Sequence, residues 1–187
     1  MTEGLEKKVL QDGWQSFNVK DAKLKYFMYT KGCSETHRLV DLRRECRGLV
    51  VDEMGEVQVR PVQKFFAIQK MQGVRKESSE GYCSRRGEVK MVTEKVDGEM
   101  MCGVMRDGAV ELWSRGGWTA QAKSATRWAS AEDSGVLGVT ADTQGVNATA
   151  TFEYVGRQSK VKTECRETDL VLVAVRDNRT GTHWAHD

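Results

Sequence analysis

Three observations predict an α+β domain dominated by antiparallel strands: short alternating apolar runs divided by turn signals, an Asp-Gly hairpin, and one stretch with helical spacing. Residues 49–51 and 57–59 alternate on either side of a polar turn at 52–56 and predict a hairpin. Residues 88–93 predict a further strand running towards Lys95. Residues 100–104 and 109–113 flank Arg106-Asp107-Gly108, whose Asp-Gly pair is a strong signal for a tight hairpin turn. Alanines and Trp128 recur at helical spacing among good helix formers over 119–133, which predicts a helix. Strands are predicted over 148–155 and 170–175, the second as a nearly continuous apolar run expected to be buried on both faces. Residues 178–184 form a turn that begins another hairpin, so the sequence ends as if cut before the fold is finished. With one proline, Pro61, and no Gly/Ser-rich linker, residues 1–187 are expected to form a single domain with one or two helices.

Composition sets the broad class. Hydrophobic residues make up 39% and charged residues 30%, as in a soluble globular protein and unlike a disordered one. Five cysteines without a C-x-x-C pair argue against both a disulfide framework and a zinc site. A reducing cytoplasmic or nuclear location is the corresponding expectation. No apolar run reaches membrane-spanning length, and the polar, mixed-charge N-terminus is no secretory signal. The net charge of +2 is too small for nucleic-acid binding by bulk charge alone. Residues 1–94 nevertheless carry 18 Lys/Arg against 14 Asp/Glu, whereas 95–187 carry 11 against 13. That bias suits a phosphate-rich ligand met in a local cleft, and equally a solvated surface.

Lys95 stands in Thr93-Glu94-Lys95-Val96-Asp97-Gly98-Glu99, and K-x-D-G is the covalent motif of ligases and capping enzymes that carry a nucleotide on lysine. An amine attacks phosphorus only when neutral, so such a lysine needs desolvation or nearby positive charge. Arg47, Lys64 and Arg115 are candidates to supply that charge. Gly98 permits close backbone approach to a phosphate, and Asp97 is placed to orient the lysine or a metal. Read alone, Lys95 also suits a surface residue before a hairpin turn. Arg47 offers a planar fork and Lys64 a point charge, which together fit a phosphate clamp. The neighbouring Phe65 and Phe66 can offer an aromatic face to a base or fill the core, and at least one of them is expected in the core. Cys46 has no histidine at a recognisable spacing and reads as core packing. Glu153 lies on the strand face opposite Phe152 and Tyr154, where it can serve Mg²⁺ or a ribose hydroxyl, or simply be exposed. The histidines His37, His183 and His186 form no pattern, and neither a Walker loop nor a dinucleotide fingerprint is present.

In order along the chain stand ECRG at 45–48, RPVQKFF at 60–66, KVDG at 95–98, SRGG at 114–117, FEYV at 152–155 and VRDNRTG at 175–181. This series resembles the N-terminal adenylyltransferase domain of RNA ligases of the bacteriophage T4 RNA ligase 1 type, to which fungal tRNA ligases are related. The resemblance runs from about Tyr26 to Trp184. It implies a nucleotidyltransferase (ATP-grasp-like ligase) fold with antiparallel sheets around an ATP cleft. It also implies three chemical steps: Lys95 takes AMP from ATP, AMP passes to a 5′-phosphate RNA end, and a 3′-hydroxyl displaces it to seal the strand. On this resemblance Arg47, Lys64 and Arg115 face the triphosphate and Phe66 forms the adjacent pocket wall. Asp97 and Gly98 complete the lysine motif, while Glu153 serves the nucleoside or Mg²⁺.

The chain departs from the family pattern at three points. Glu99 follows K-x-D-G where a small hydroxyl residue is common. Arg115 replaces a frequent lysine. The later E-G and K-x-K motifs do not appear after Val175. These departures favour an alternative: an inactive, truncated remnant that binds nucleotide or RNA. A GTP-using capping enzyme would share the lysine chemistry but leaves ECRG and RPVQKFF without a role.

Overall fold

The computed structural model describes residues 14–18, 24–29, 44–65, 93–132, 135–156 and 167–184. They form eight strands in two four-stranded antiparallel sheets, with two helices. The first sheet has the order β1 (Trp14–Asn18), β2 (Leu24–Tyr29), β3 (Arg47–Asp52), β4 (Val57–Val59). The second has the order β6 (Ala109–Ser114), β5 (Glu99–Arg106), β7 (Ala148–Val155), β8 (Asp169–Asp177). Helices α1 (Ala120–Ala131) and α2 (Val136–Gly145) lie between β6 and β7 in sequence. The α+β class with antiparallel sheets is therefore as expected. No helix among the described residues is long and apolar enough to cross a membrane.

Period-2 alternation in β5 and β7 divides the interior into layers. Met101, Leu112, Ala150, Phe152 and Tyr154 point one way and pack on Ala122, Ala125 and Ala129 of α1. Met100, Cys102, Val104 and Trp113 point the other way and meet Tyr26, Val50 and Val59 of the first sheet. A third cluster, Phe27, Cys46, Leu49 and Val51, lies on the far face of the first sheet. Burial pushes the Cys46 thiol up to about 12, as befits a packing residue rather than a nucleophile.

Local chemistry fixes the hairpins. Asp52 Oδ1 accepts from the N–H groups of Met54 and Glu56, both at 2.9 Å, and so closes the β3–β4 turn. Asp107 and Gly108 both adopt positive φ (49° and 79°), the demand of a two-residue turn between β5 and β6. Thr119 caps α1 by accepting from the Ala122 N–H at 3.2 Å.

Two sequence expectations need correction or fall outside this frame. The run 170–175 is not buried on both faces: β8 is an edge strand, Leu172 is 39% exposed, and burial alternates along it. Burial on both faces needs a packed layer on each side of the sheet, and along β8 only Leu170, Ala174 and Arg176 are buried. The strand predicted over 88–93 lies almost wholly outside the described residues, and Thr93 itself is not in a strand. The expected return of the chain at 178–184 is present, with the Trp184 N–H donating to the Val175 carbonyl at 3.0 Å.

Candidate functional site

Two cavities adjoin where the sheets part. The larger, about 540 Å³, is lined by Arg47, Phe65, Glu94, Lys95, Glu153 and Trp184 among others. The second, about 430 Å³, is lined by Arg47, Glu99, Arg115, Thr119, Gln121 and Glu153 among others. Arg47, Met100 and Glu153 belong to both linings, so these side chains form the partition.

Arg47 enters from the start of β3, with its guanidinium 5.7 Å from the centre of the Phe65 ring. Its Nε is buried and has no hydrogen-bond partner. A buried, unsatisfied N–H of a guanidinium is costly, and an anionic ligand would satisfy it. Phe65 is itself 53% exposed, so this ring is not the core half of the Phe65-Phe66 pair. Phe66 lies outside the described residues.

Lys95 lies in the extended segment leading into β5, with its side chain 68% exposed and paired with the Asp97 carboxylate. The expected desolvation of this amine is therefore not seen, and Asp97 faces the lysine. Gly98 follows, and its N–H donates to Glu153 Oε1 at 3.0 Å. A Cβ at position 98 would stand 2.5 Å from the Tyr154 carbonyl oxygen and 2.9 Å from Glu153 Cγ. The close approach requiring glycine is thus to β7: it lets the lysine loop run against the strand that carries Glu153.

Glu153 sits opposite Phe152 and Tyr154, half-buried on the cavity face of β7. Burial raises its carboxyl above the ordinary range, and the nearby Glu99 adds to the rise. The Gly98 N–H, Arg47 and Lys95 oppose it. Glu99 and Glu153 thus bring two carboxylates to the second cavity. Arg115 joins them from the tip of a tight turn, exposed. The backbones of Ser114 and Gly117 close this turn reciprocally at 2.9 and 3.1 Å, and Ser114 Oγ accepts from the Gly116 N–H. The S-R-G-G string is therefore a small rigid loop presenting one arginine.

Lys64 is not brought to either lining. Its N–H donates to the Arg44 carbonyl at 2.8 Å and its own carbonyl accepts from Arg44 Nε at 3.0 Å, which fixes the backbone beside Phe65. Among the described residues no group of three His, Cys, Asp or Glu is placed to hold a metal ion.

A family model described as RNA ligase, of the T4 RNA ligase 1 type, matches residues 45–186. The chain belongs to the RNA ligase family. No curated protein matches it. The match begins at Glu45, and the structure gives that residue a role the sequence had left unassigned. Glu45 accepts from Arg176 at 3.0 Å on Oε1 and from Arg60 at 3.0 Å on Oε2. Arg176, its side chain only 3% exposed, also donates to the carbonyls of Pro61 and Gly181. Burial alone would raise the Glu45 carboxyl, but hydrogen bonds from Arg176 and Arg60 outweigh it and hold it below the ordinary range. Next to this knot, Arg60 N–H donates to Thr149 Oγ1 at 2.8 Å, and Thr149 Oγ1 lies 2.6 Å from Asn178 Oδ1.

Parts of three ligase strings, ECRG, RPVQKFF and VRDNRTG, are thus the polar seam that holds the two sheets together. His183 and Trp184, set aside or unassigned in sequence, line the larger cavity because the chain folds back along β8, where His183 bridges Arg176. The only forewarning of this was the turn signal at 178–181.

Proposed function

We propose that this chain is a nucleotidyltransferase domain of an ATP-dependent RNA ligase, a single domain of ATP-grasp-like ligase architecture, in which Lys95 carries AMP. The observation that carries this reading is the convergence of Lys95, Glu153 and Arg47, whose buried Nε has no partner, on one cavity in a chain of the RNA ligase family. In the first step Lys95 Nζ, after losing a proton, attacks the α-phosphorus of ATP. A phosphorus–nitrogen bond forms, the α–β bridge breaks, and pyrophosphate leaves. In the second, a 5′-phosphate RNA end attacks the same phosphorus and frees the lysine. In the third, a 3′-hydroxyl displaces AMP and a phosphodiester remains.

The residues divide this work between them. Asp97 holds the amine beside the cavity. Arg47 gives the phosphates a fixed positive partner where water is partly excluded, a device that stabilises the charge developing in phosphoryl transfer. Arg115, on its rigid turn, supplies charge on the far side of the partition, where the β- and γ-phosphates and then the RNA end would lie. Lys64 and Phe66 belong to this reading through the family resemblance alone. The donor set suits Mg²⁺: Glu153 offers carboxylate oxygens without a closed cage, and Mg²⁺ keeps waters and takes phosphate oxygens. When bound there it would neutralise charge on the leaving group.

A second reading, a domain that binds nucleotide or RNA without joining ends, rests on Glu99. Its carboxylate lines the second cavity, where a phosphate would meet repulsion. Incubation with α-labelled ATP and Mg²⁺ followed by a denaturing gel separates the two. The ligase reading expects a labelled protein band that Lys95→Ala and Lys95→Arg both abolish. An unlabelled chain that still retains RNA or nucleotide supports the second reading.

A further inference from the structure

The larger cavity carries aromatic surface that the phosphate chemistry leaves without a task. Trp184 lines it and is 43% exposed. Its backbone is nevertheless anchored. The Trp184 N–H donates to the Val175 carbonyl and the Asp177 N–H to the Thr182 carbonyl, both at 3.0 Å. Arg176, anchored on Glu45, donates to the Gly181 carbonyl at 3.0 and 2.8 Å through Nε and Nη2. An indole carried on an anchored backbone with much of its surface in water forgoes apolar burial that a ligand would restore. The same cavity presents Lys95 and the buried, unpartnered Arg47 Nε, so the ligand that satisfies both features has an anionic part and a flat ring.

We infer that Trp184 is the face that stacks on the base of the nucleotide whose phosphates meet Arg47 and Lys95. The inference rests on the proposed function and assigns the base to the wall formed by the returning chain after β8. Stacking acts on any planar base and leaves the phosphates to the cationic side chains.

The test is equilibrium dialysis with α,β-methylene ATP, which binds but cannot transfer AMP, together with competition by inorganic tripolyphosphate, which has no base. Trp184→Ala is expected to weaken the analogue about tenfold while leaving tripolyphosphate affinity unchanged. Trp184→Phe is expected to restore most of the loss, and Trp184→Leu, apolar but without a ring, is not. Unchanged analogue affinity in Trp184→Ala overturns the inference. A parallel loss of analogue and tripolyphosphate also overturns it, because that marks a collapsed turn and not a lost stack. The labelled-AMP gel on the unaltered chain is read separately. An absent band with a Trp184-dependent Kd rejects the ligase chemistry and keeps the stacking face, whereas no analogue binding by the unaltered chain rejects both.

Discussion

Glu45 and Arg47 stand two residues apart in one motif, yet they belong to opposite kinds of site. Glu45 joins Arg60 and Arg176 in a buried knot where every charge has close partners at about 3 Å. Arg47 faces the cavities with Lys95 and Glu153, where its Nε has no partner, the lysine is exposed, and the carboxylate is raised by its burial. A satisfied ion cluster has no capacity left for a ligand. An incompletely satisfied one retains it, at a cost in stability. Residues marked by a family motif therefore divide: some hold the sheets together, and others face the cavities with bonding capacity unmet.

The largest effect that would break this contrast is on the knot. Glu45→Ala leaves the Arg176 guanidinium buried without its counter-charge and is expected to cost about 3–5 kcal/mol, readable in urea unfolding. That is a large share of the roughly 5–15 kcal/mol typical of a domain. A cost below about 1 kcal/mol would place the knot among surface pairs. The pH dependence has a definite sign. The folded Glu45 carboxyl lies below its unfolded value, so its contribution is complete above the unfolded value, around pH 4, and is lost as pH falls through the folded value. Glu45→Gln should lack this increment of acid lability.

A smaller effect of opposite sign is expected at the cavity. Burial disfavours the ionised form of Glu153, so at neutral pH its charge works against folding. Glu153→Gln keeps an acceptor for the Gly98 N–H and is expected to raise stability by up to about 1 kcal/mol, while lowering AMP transfer. Lower stability together with full transfer would move Glu153 into the structural class. Smallest is Glu99→Ser, which removes a carboxylate from the second cavity and is expected to tighten ATP binding a few-fold in direct titration. Unchanged or weaker binding would show that Glu99 does not face the phosphates.

How much of this was legible in the sequence depends on the range of the interactions. The hairpins at Asp52 and Asp107-Gly108 and the Thr119-capped helix are set by neighbours within a few residues, and all three were readable. Helix α2 was not located: Val136–Gly145 carries two glycines, two threonines and no continuous apolar stripe, and it is held by packing against β5 and β7. Strands β1 and β2 were not placed either. Of the candidate site residues picked from sequence, Lys95, Arg47, Arg115 and Glu153 line the two cavities. Their division between two cavities was not legible, nor was the absence of Lys64 from both linings. Glu45 was unreadable as a clamp because its partners lie 15 and 131 residues away. Trp184 was hidden because only the turn after β8 delivers it to the cavity.

The central claim is that Lys95 takes AMP in a cavity built by Arg47 and Glu153. The most direct test is to treat the protein with ATP and Mg²⁺, digest it under conditions that preserve a phosphorus–nitrogen bond, and locate the AMP adduct by mass spectrometry. AMP on the peptide containing Lys95, absent in Lys95→Arg, is the predicted result. AMP on a peptide that lacks Lys95 would contradict the account.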